Sequence, residues 1–332
     1  MAYSTGYPTI HTFSSDGSSA IEYSISIGTT EVYQGKILPY NTASATIDID
    51  IIPICAEYLD TFYEDMNLDS TNIAAMPTSG LFGSMNTFTV NVEDVTTNYS
   101  IVYDYNTDHE QPLADIRYLN DPIDDKVDPR QRIFTSGYNT TGSQVYTYQV
   151  NTGNAVSVSI TNTSNIHLRT VNLHTLGLSV NDTITMGMTG YGTNTYTVVR
   201  PCRNRFALYY VNKYGGLDAL LCSGRSIESW SPTRTDVTLY DDRLNRRDWQ
   251  QKRIYSEQDH QFQLNTGWLT DTNARKIDHL IYSPKVWLHD LEDDTITSCL
   301  ITDTNYSVKE RRYDTVVQYA VNVKLSQKEI RR

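Results

Sequence analysis

Cysteine is scarce: Cys55, Cys202, Cys222 and Cys299 are scattered through 332 residues, with no CxxC pair and no close Cys/His cluster. That spacing writes neither a zinc site nor a redox motif, and four free thiols suit a reducing compartment. No apolar run approaches the roughly 18 to 20 residues of a membrane span. The opening MAYSTGYPTI has no basic start and no apolar stretch, so the expectation is a chain neither membrane-inserted nor conventionally secreted. Without a secretion signal, the sequons starting at Asn98, Asn139, Asn162, Asn181 and Asn305 carry no weight. Charged residues make up 20%, which excludes a coiled coil rich in Ala, Glu, Lys and Leu.

Catalytic signatures are absent as well. The histidines form neither HExxH nor an HxH pair, GxSxG is missing, and no glycine-rich loop of the GxGxxG or GxxxxGK[ST] kind provides a phosphate cradle. His289-Asp290 with Glu292, Asp293 and Asp294 is the best grouping for carboxylate work, and it reads more simply as the solvated tip of a polar hairpin. No catalytic residue, cofactor or metal ligand is assigned.

What the chain does hold is uncharged polar and aromatic: Thr, Ser and Asn abound beside 25 Tyr. Aromatic and β-branched side chains fit a pleated, half-buried surface, so the fold class read from composition is all-β. Ile21, Tyr23, Ile25 and Ile27 alternate before Gly28-Thr29-Thr30, which predicts a hairpin returning through Val32-Tyr33. A second alternating run ends at Ile51. Pro53 then opens a helix carrying Ile54, Cys55, Tyr58 and Leu59, at a position where a missing N–H costs nothing. Further alternation covers 87–95 and 99–105.

Residues 106–143 change character, with seven acids among Pro112, Pro122 and Pro129, and read as an exposed acidic loop rather than a calcium site, since the EF-hand spacing and glycine are missing. Strand patterning resumes at 144–160 and again on both sides of the glycines at 187–192. Phe206 to Val211 is continuously apolar, which predicts a strand covered on both faces, turning at Gly215-Gly216 to return through Leu220-Leu221-Cys222. Tyr209, Tyr210 and Tyr214 could alternatively form a stacking platform for bases or sugars. Near the end, Thr270 caps a helix with an apolar face of Ala274, Ile277, Leu280 and Ile281, Pro284 stops it, and strands over 283–292, 296–302 and 316–325 close the chain.

The predicted architecture is β-rich with a few short flanking helices, as two β-sandwich-like domains with an intervening loop-rich segment. Its parts are an N-terminal β-rich domain over 1–108, an acidic linker or extended loop over 109–143, a middle β region over 144–235, and a C-terminal β-sandwich with one flanking helix over 236–332. Charge is divided unequally along the chain. Residues 1–165 carry 5 basic against 20 acidic residues, and 166–332 carry 22 against 19.

The segments RFALYYVNKYGG (205–216) with Asp218 behind it, Tyr255, NTGWLTD (265–271), the helix 274–282 and SPKVWLHDLE (283–292) resemble the tail ring or hub components of crAss-like tailed bacteriophages, which infect gut Bacteroidales. Ile301-Thr302-Asp303, Tyr306, 317–323 and the basic end extend the likeness over about 200–332. In the first half it is confined to the hairpin with Tyr33-Gln34-Gly35 and the strand before Pro53, and it departs at 138–197. The resemblance implies a virion structural protein with β-sandwich subunits that close into a homo-oligomeric, twelvefold ring forming part of the DNA ejection channel below the portal. It further implies neighbouring ring, portal or hub proteins as partners, genomic DNA passing without specific binding, no membrane insertion, a place in the virion tail after assembly in the host cytoplasm, and no active site.

On that reading Arg243, Arg246 and Arg247 are candidate inter-subunit contacts, with Lys252 and Arg253 beside them, facing acids such as Asp121, Asp124 and Asp125 of a neighbour. Two other classes stay open. A receptor- or carbohydrate-binding tail protein needs Tyr209, Tyr210 and Trp268 exposed on one rim. A surface hydrolase needs His289 and an acid in one pocket.

Overall fold

A computed structural model describes residues 2–4, 8–15, 20–37, 45–61, 81–82, 85–92, 95–102, 116–118, 120, 125–200, 205–238, 251–303, 316–327 and 329–331. The protein is all-β: among the described residues strands dominate, and two α-helices accompany the sheets. It divides into two compact units. The first comprises 1–199 with Val211–Asp218, and the second 200–210 with 219–332.

The first unit begins with β1 (Ala2–Ser4), β2 (Ile10–Ser15), β3 (Ile21–Ile27), β4 (Thr30–Ile37), β5 (Ala45–Asp50), helix α1 (Ile52–Thr61), β6 (Leu81–Phe82), β7 (Met85–Val92) and β8 (Val95–Val102). Five of these form a sheet in the order β1-β8-β7-β3-β4, while β2 and β5 pair separately. The expected hairpin is present, with Ile21, Tyr23 and Ile25 inward and Gly28 at φ 58 in its turn. Gly35 sits opposite Tyr23, and any Cβ there would meet the Tyr23 ring 2.5 Å away. Ile49 of β5, Ile51 between it and α1, and Cys55 of α1 share one core with Ile25, Phe88, Val90 and Ile101 of the five-stranded sheet. Asp50 starts the helix by accepting from the Ile52 amide at 3.1 Å.

A second sheet of this unit uses β9 (Ile116–Tyr118), β10 (Asp125–Val127), β11 (Arg132–Val150), β12 (Val156–Asn172), β13 (Thr183–Met188) and β14 (Gly192–Val198), in the order β10-β14-β13-β11-β12-β6, with β9 also on β11. Here the expected exposed loop is corrected. Residues 125, 127, 128 and 131–137 are buried, and Val127 and Ile133 join Val171, Ile184 and Met186 in the core. Two of the acids that suggested a solvated loop are described, and both are bonded within the chain: Asp125 accepts from the Lys126 amide and Asp128 from Arg130 Nε at 2.8 Å. Residues 125–143 of the expected linker lie within the first of the two compact units.

The second unit contains β15 (Phe206–Val211) and β16 (Leu217–Cys222), whose intervening turn is counted with the first unit, then β17 (Ile227–Thr238), β18 (Gln251–Thr270), α2 (Asp271–Ile281), β19 (Val286–Asp290), β20 (Thr295–Ile301), β21 (Val316–Leu325) and β22 (Glu329–Arg331). They form one sheet in the order β16-β15-β19-β20-β21-β18-β17, with β22 on β18. The sheet closes on itself. Just past β16, the Gly224 amide donates to Asn265 O of β18 at 2.9 Å. The side chains enclosed include Phe206, Leu208, Leu220, Leu264, Leu288 and Val323. Helix α2 adds Ile277 and Leu280, as its spacing predicts, and the Thr270 side chain accepts from the Asn273 amide as its N-cap.

Candidate functional site

Arg205, just before β15, donates to Asp290 on β19 through Nε at 3.0 Å and lies 2.9 Å from it through Nη2. Glu228 and Glu292 stand 3.9 and 3.8 Å away. The bond to Asp290 pushes the guanidinium pKa above its ordinary value. Glu228, on β17, also holds His260 Nε2 of β18 at 2.7 Å.

Across the same strand pair Trp230 stands opposite His260, and the two rings stack at 5.1 Å and 13°. His260 touches Phe262 at 4.3 Å, and Phe262 touches Phe206 at 5.3 Å. This row of rings ends beside an open cleft of about 380 Å³ lined by Arg205, Phe206, Gly224, Arg225, Ser226 and Glu228. The cleft brings together Arg225, which makes no ion pair among the described residues, the paired guanidinium of Arg205 and the Glu228 carboxylate, with the exposed Trp230 indole near it. Among the described residues no group of three His, Cys, Asp or Glu is placed to hold a metal ion.

Beyond Glu228 the strand pair leaves the core. Every β17 residue from Ser229 to Thr238 is exposed, although ladder pairing with β18 continues to Thr238↔Gln251. Exposed on both alternating faces, β17 has no sheet or helix over it among the described residues, and it forms an arm along β18, whose residues 257–261 are half-buried. β17 is also the last strand of the sheet order, which leaves its outer edge open among the described residues. Pro232 sits in that edge strand, where its missing N–H interrupts a donor row.

The residues named from sequence fall in different places. His289 is fully buried, with Nδ1 2.6 Å from the Tyr209 hydroxyl and Nε2 2.9 Å from Asp294. It has an acidic partner but no exposed face for a substrate. Tyr209 and Tyr210 are fully buried, so no platform of these tyrosines exists, while Trp268 is 65% exposed. Arg243, Arg246, Arg247, Asp121 and Asp124 lie outside the described residues. Asp125 is 8% exposed, on β10, with its carboxylate accepting from the Lys126 amide at 2.8 Å.

Sequence reasoning missed Trp230, His260 and Glu228. Their only advance signal was that Glu228 and Trp230 are two apart, and the pairing that brings His260 beside them depends on a ladder joining residues 32 positions distant.

No family model matches the chain, and no curated protein matches it. Among solved structures it is similar to a cryo-EM reconstruction of the native conformation of E. coli alpha-2-macroglobulin, at 10% identity over 99% of this chain and 20% of that chain, with a TM-score of 0.17. The chain thus spans about a fifth of that protein's length, and a likeness of this size carries no argument.

Proposed function

We propose that this chain is a virion structural protein, a ring-forming subunit of a short phage tail that surrounds the DNA path below the portal. The observation that carries the reading is the β17–β18 arm, in which β17 pairs with β18 while every β17 residue from Ser229 to Thr238 is exposed. A strand with both faces open is stabilised in use by a neighbour that covers it, and exposed edges and faces are what head-to-tail assembly needs to close a ring. The acidic bias of residues 1–165 fits a surface from which DNA is repelled.

Light scattering and negative-stain images of the purified chain should show closed rings, and mass spectrometry of the virion should find the chain. Monomer alone in the first together with absence from the second would overturn the reading.

The Trp230–His260 stack beside the Arg225-lined cleft favours a second reading, a receptor- or saccharide-binding tail protein. Quenching or enhancement of tryptophan fluorescence by soluble host-surface glycans, lost in Trp230→Ala, would favour it over the first.

A further inference from the structure

The cleft at the base of the arm lies wholly within the second unit, and most of its polar side chains are already held in place. Arg205 lies over the Phe206 ring at 4.9 Å and is bonded to Asp290 at 3.0 Å. Glu228 meets His260 Nε2 at 2.7 Å, and that imidazole is fixed in turn by the Trp230 and Phe262 rings. Side chains braced in this way have little freedom left to lose when a ligand arrives, and lost freedom is one of the costs that binding must offset. Arg225 differs: it is exposed and makes no ion pair among the described residues.

The charge of the lining narrows what can occupy it. Two guanidiniums, Arg205 and Arg225, stand against the carboxylates of Glu228 and Asp290, and Glu292 adds a third carboxylate 3.8 Å from Arg205. A phosphate or carboxylate ligand would meet Glu228 backed by Asp290, and a cation would meet both guanidiniums. An apolar ligand would strip water from Arg225 and Glu228 and return no hydrogen bond. What remains is an uncharged ligand that both donates and accepts. Hydroxyl groups accept from Arg225 and donate to Glu228, and Ser226 does either.

Size and the neighbouring ring point the same way. The volume, about 380 Å³, is at the small end for ligand clefts and suits roughly one or two sugar rings. Trp230 follows Glu228 on the same face of β17, roughly 7 Å along the strand, with its indole 52% exposed. A sugar presents C–H groups on one face of its ring, and an exposed indole offers the apolar surface that pairs with them.

We propose that this cleft binds a neutral sugar of a glycan, with hydroxyls held between Arg225 and Glu228 and the Trp230 indole against the adjoining sugar ring. The proposal rests on the saccharide-binding reading, to which it adds a ligand class and a place, and it does not depend on the ring-subunit reading.

The test is saturation-transfer NMR and tryptophan fluorescence on the full-length chain. Maltose, cellobiose, lactose and diacetylchitobiose serve as neutral probes, with glucuronic acid and a glucose phosphate as charged ones. At least one neutral disaccharide should bind and the charged probes should not. Arg225→Ala should weaken binding about tenfold, the loss of one hydrogen bond to a charged group. Trp230→Ala should weaken it and remove the fluorescence response, while Trp268→Ala, 65% exposed and outside the lining, should leave binding unchanged.

If a neutral sugar binds at full strength to either Arg225→Ala or Trp230→Ala, loses its hold in Trp268→Ala, or is matched by the charged probes, the inference is overturned while the saccharide reading stands. If no probe binds, the inference and the saccharide reading fall together.

Discussion

The Tyr209 hydroxyl lies 2.6 Å from Nδ1 of His289, and both side chains are fully buried. They sit diagonally across the β15–β19 ladder, where Tyr209 faces Trp287 and Ala207 faces His289. Nε2 lies 2.9 Å from Asp294 and Nδ1 2.6 Å from the tyrosine, so both ring nitrogens have a partner. Tyr209→Phe takes that partner from a buried ring nitrogen and should cost about 1–3 kcal/mol. All four tryptophans lie between 230 and 287, so urea denaturation followed by tryptophan fluorescence reports this unit alone. An unchanged midpoint would contradict the assignment.

Closure of the second unit's sheet depends on two glycines. Gly267 has φ 71, and a Cβ there would land on Ser223 Oγ; a Cβ on Gly224 would land on the Asn265 side chain. Gly267→Ala combines a left-handed backbone with a steric clash and should cost about 2–4 kcal/mol. Gly190→Ala, at φ 84 with no atom within 4 Å of its Cβ, carries only the backbone part, about 1 kcal/mol. Circular dichroism on denaturant titration should rank them in that order.

These closures explain how far the sequence could be read. Alternation identified β3 and β4, the unbroken apolar run identified β15, and Thr270 with Pro284 bounded α2, because each signal is local. The buried segment 125–137 was hidden by its acids, since an aspartate that is satisfied internally looks the same in sequence as one in water. The arm's outer strand, β17, was hidden for the opposite reason. A strand exposed on both faces carries no hydrophobic alternation, so its pairing shows only in three dimensions. Trp230 and His260 became a site through that pairing alone.

His11 is 5% exposed and its Nδ1 lies 2.6 Å from the Tyr99 hydroxyl, joining β2 to the five-stranded sheet. Burial lowers its pKa below the ordinary 6.5. The folded state therefore binds fewer protons than the unfolded state between the two pKa values, so this contribution is fully present above about pH 6.5 and is lost as pH falls toward the folded value. Chemical denaturation at pH 7.5 and pH 5 should show the first unit weakened at the lower pH. His11→Gln should flatten that difference; an equal slope in the variant would assign the pH dependence to other groups.

Burial pushes the thiols of Cys55, Cys222 and Cys299 up to about 12, with Asp50 adding to the effect at Cys55 and Cys299 adding to it at Cys222. At pH 8 almost no thiolate is present at any of them, and the thiolate is the reactive form. Iodoacetamide should leave all three unmodified in the native protein and label them after guanidinium treatment, as read by peptide mass spectrometry. Native labelling as fast as denatured labelling would contradict the burial.

Asp218 joins two buried amide side chains in the first unit. Its carboxylate accepts from Asn120 Nδ2 at 2.5 Å and from Asn212 Nδ2 at 2.6 Å. Neither amide can turn around: Asn120 Oδ1 accepts from the Ser136 amide at 2.6 Å, and Asn212 Oδ1 accepts from the Tyr214 and Gly216 amides at 3.0 Å each. Asp218→Asn keeps the volume but sets an NH2 against a fixed NH2, and should cost about 1–3 kcal/mol. Asn212→Asp alone places two carboxylates face to face in a buried site and should cost at least as much. Together the two changes restore the pattern. The carboxylate then at position 212 still accepts from both backbone amides and also accepts from the side-chain amide at position 218, whose oxygen accepts from Asn120. The double variant should therefore regain most of the stability that either single change loses, a coupling that distant, independent sites do not show. Denaturant titration of the four proteins by circular dichroism measures it, and simple additivity of the two losses would reject the network.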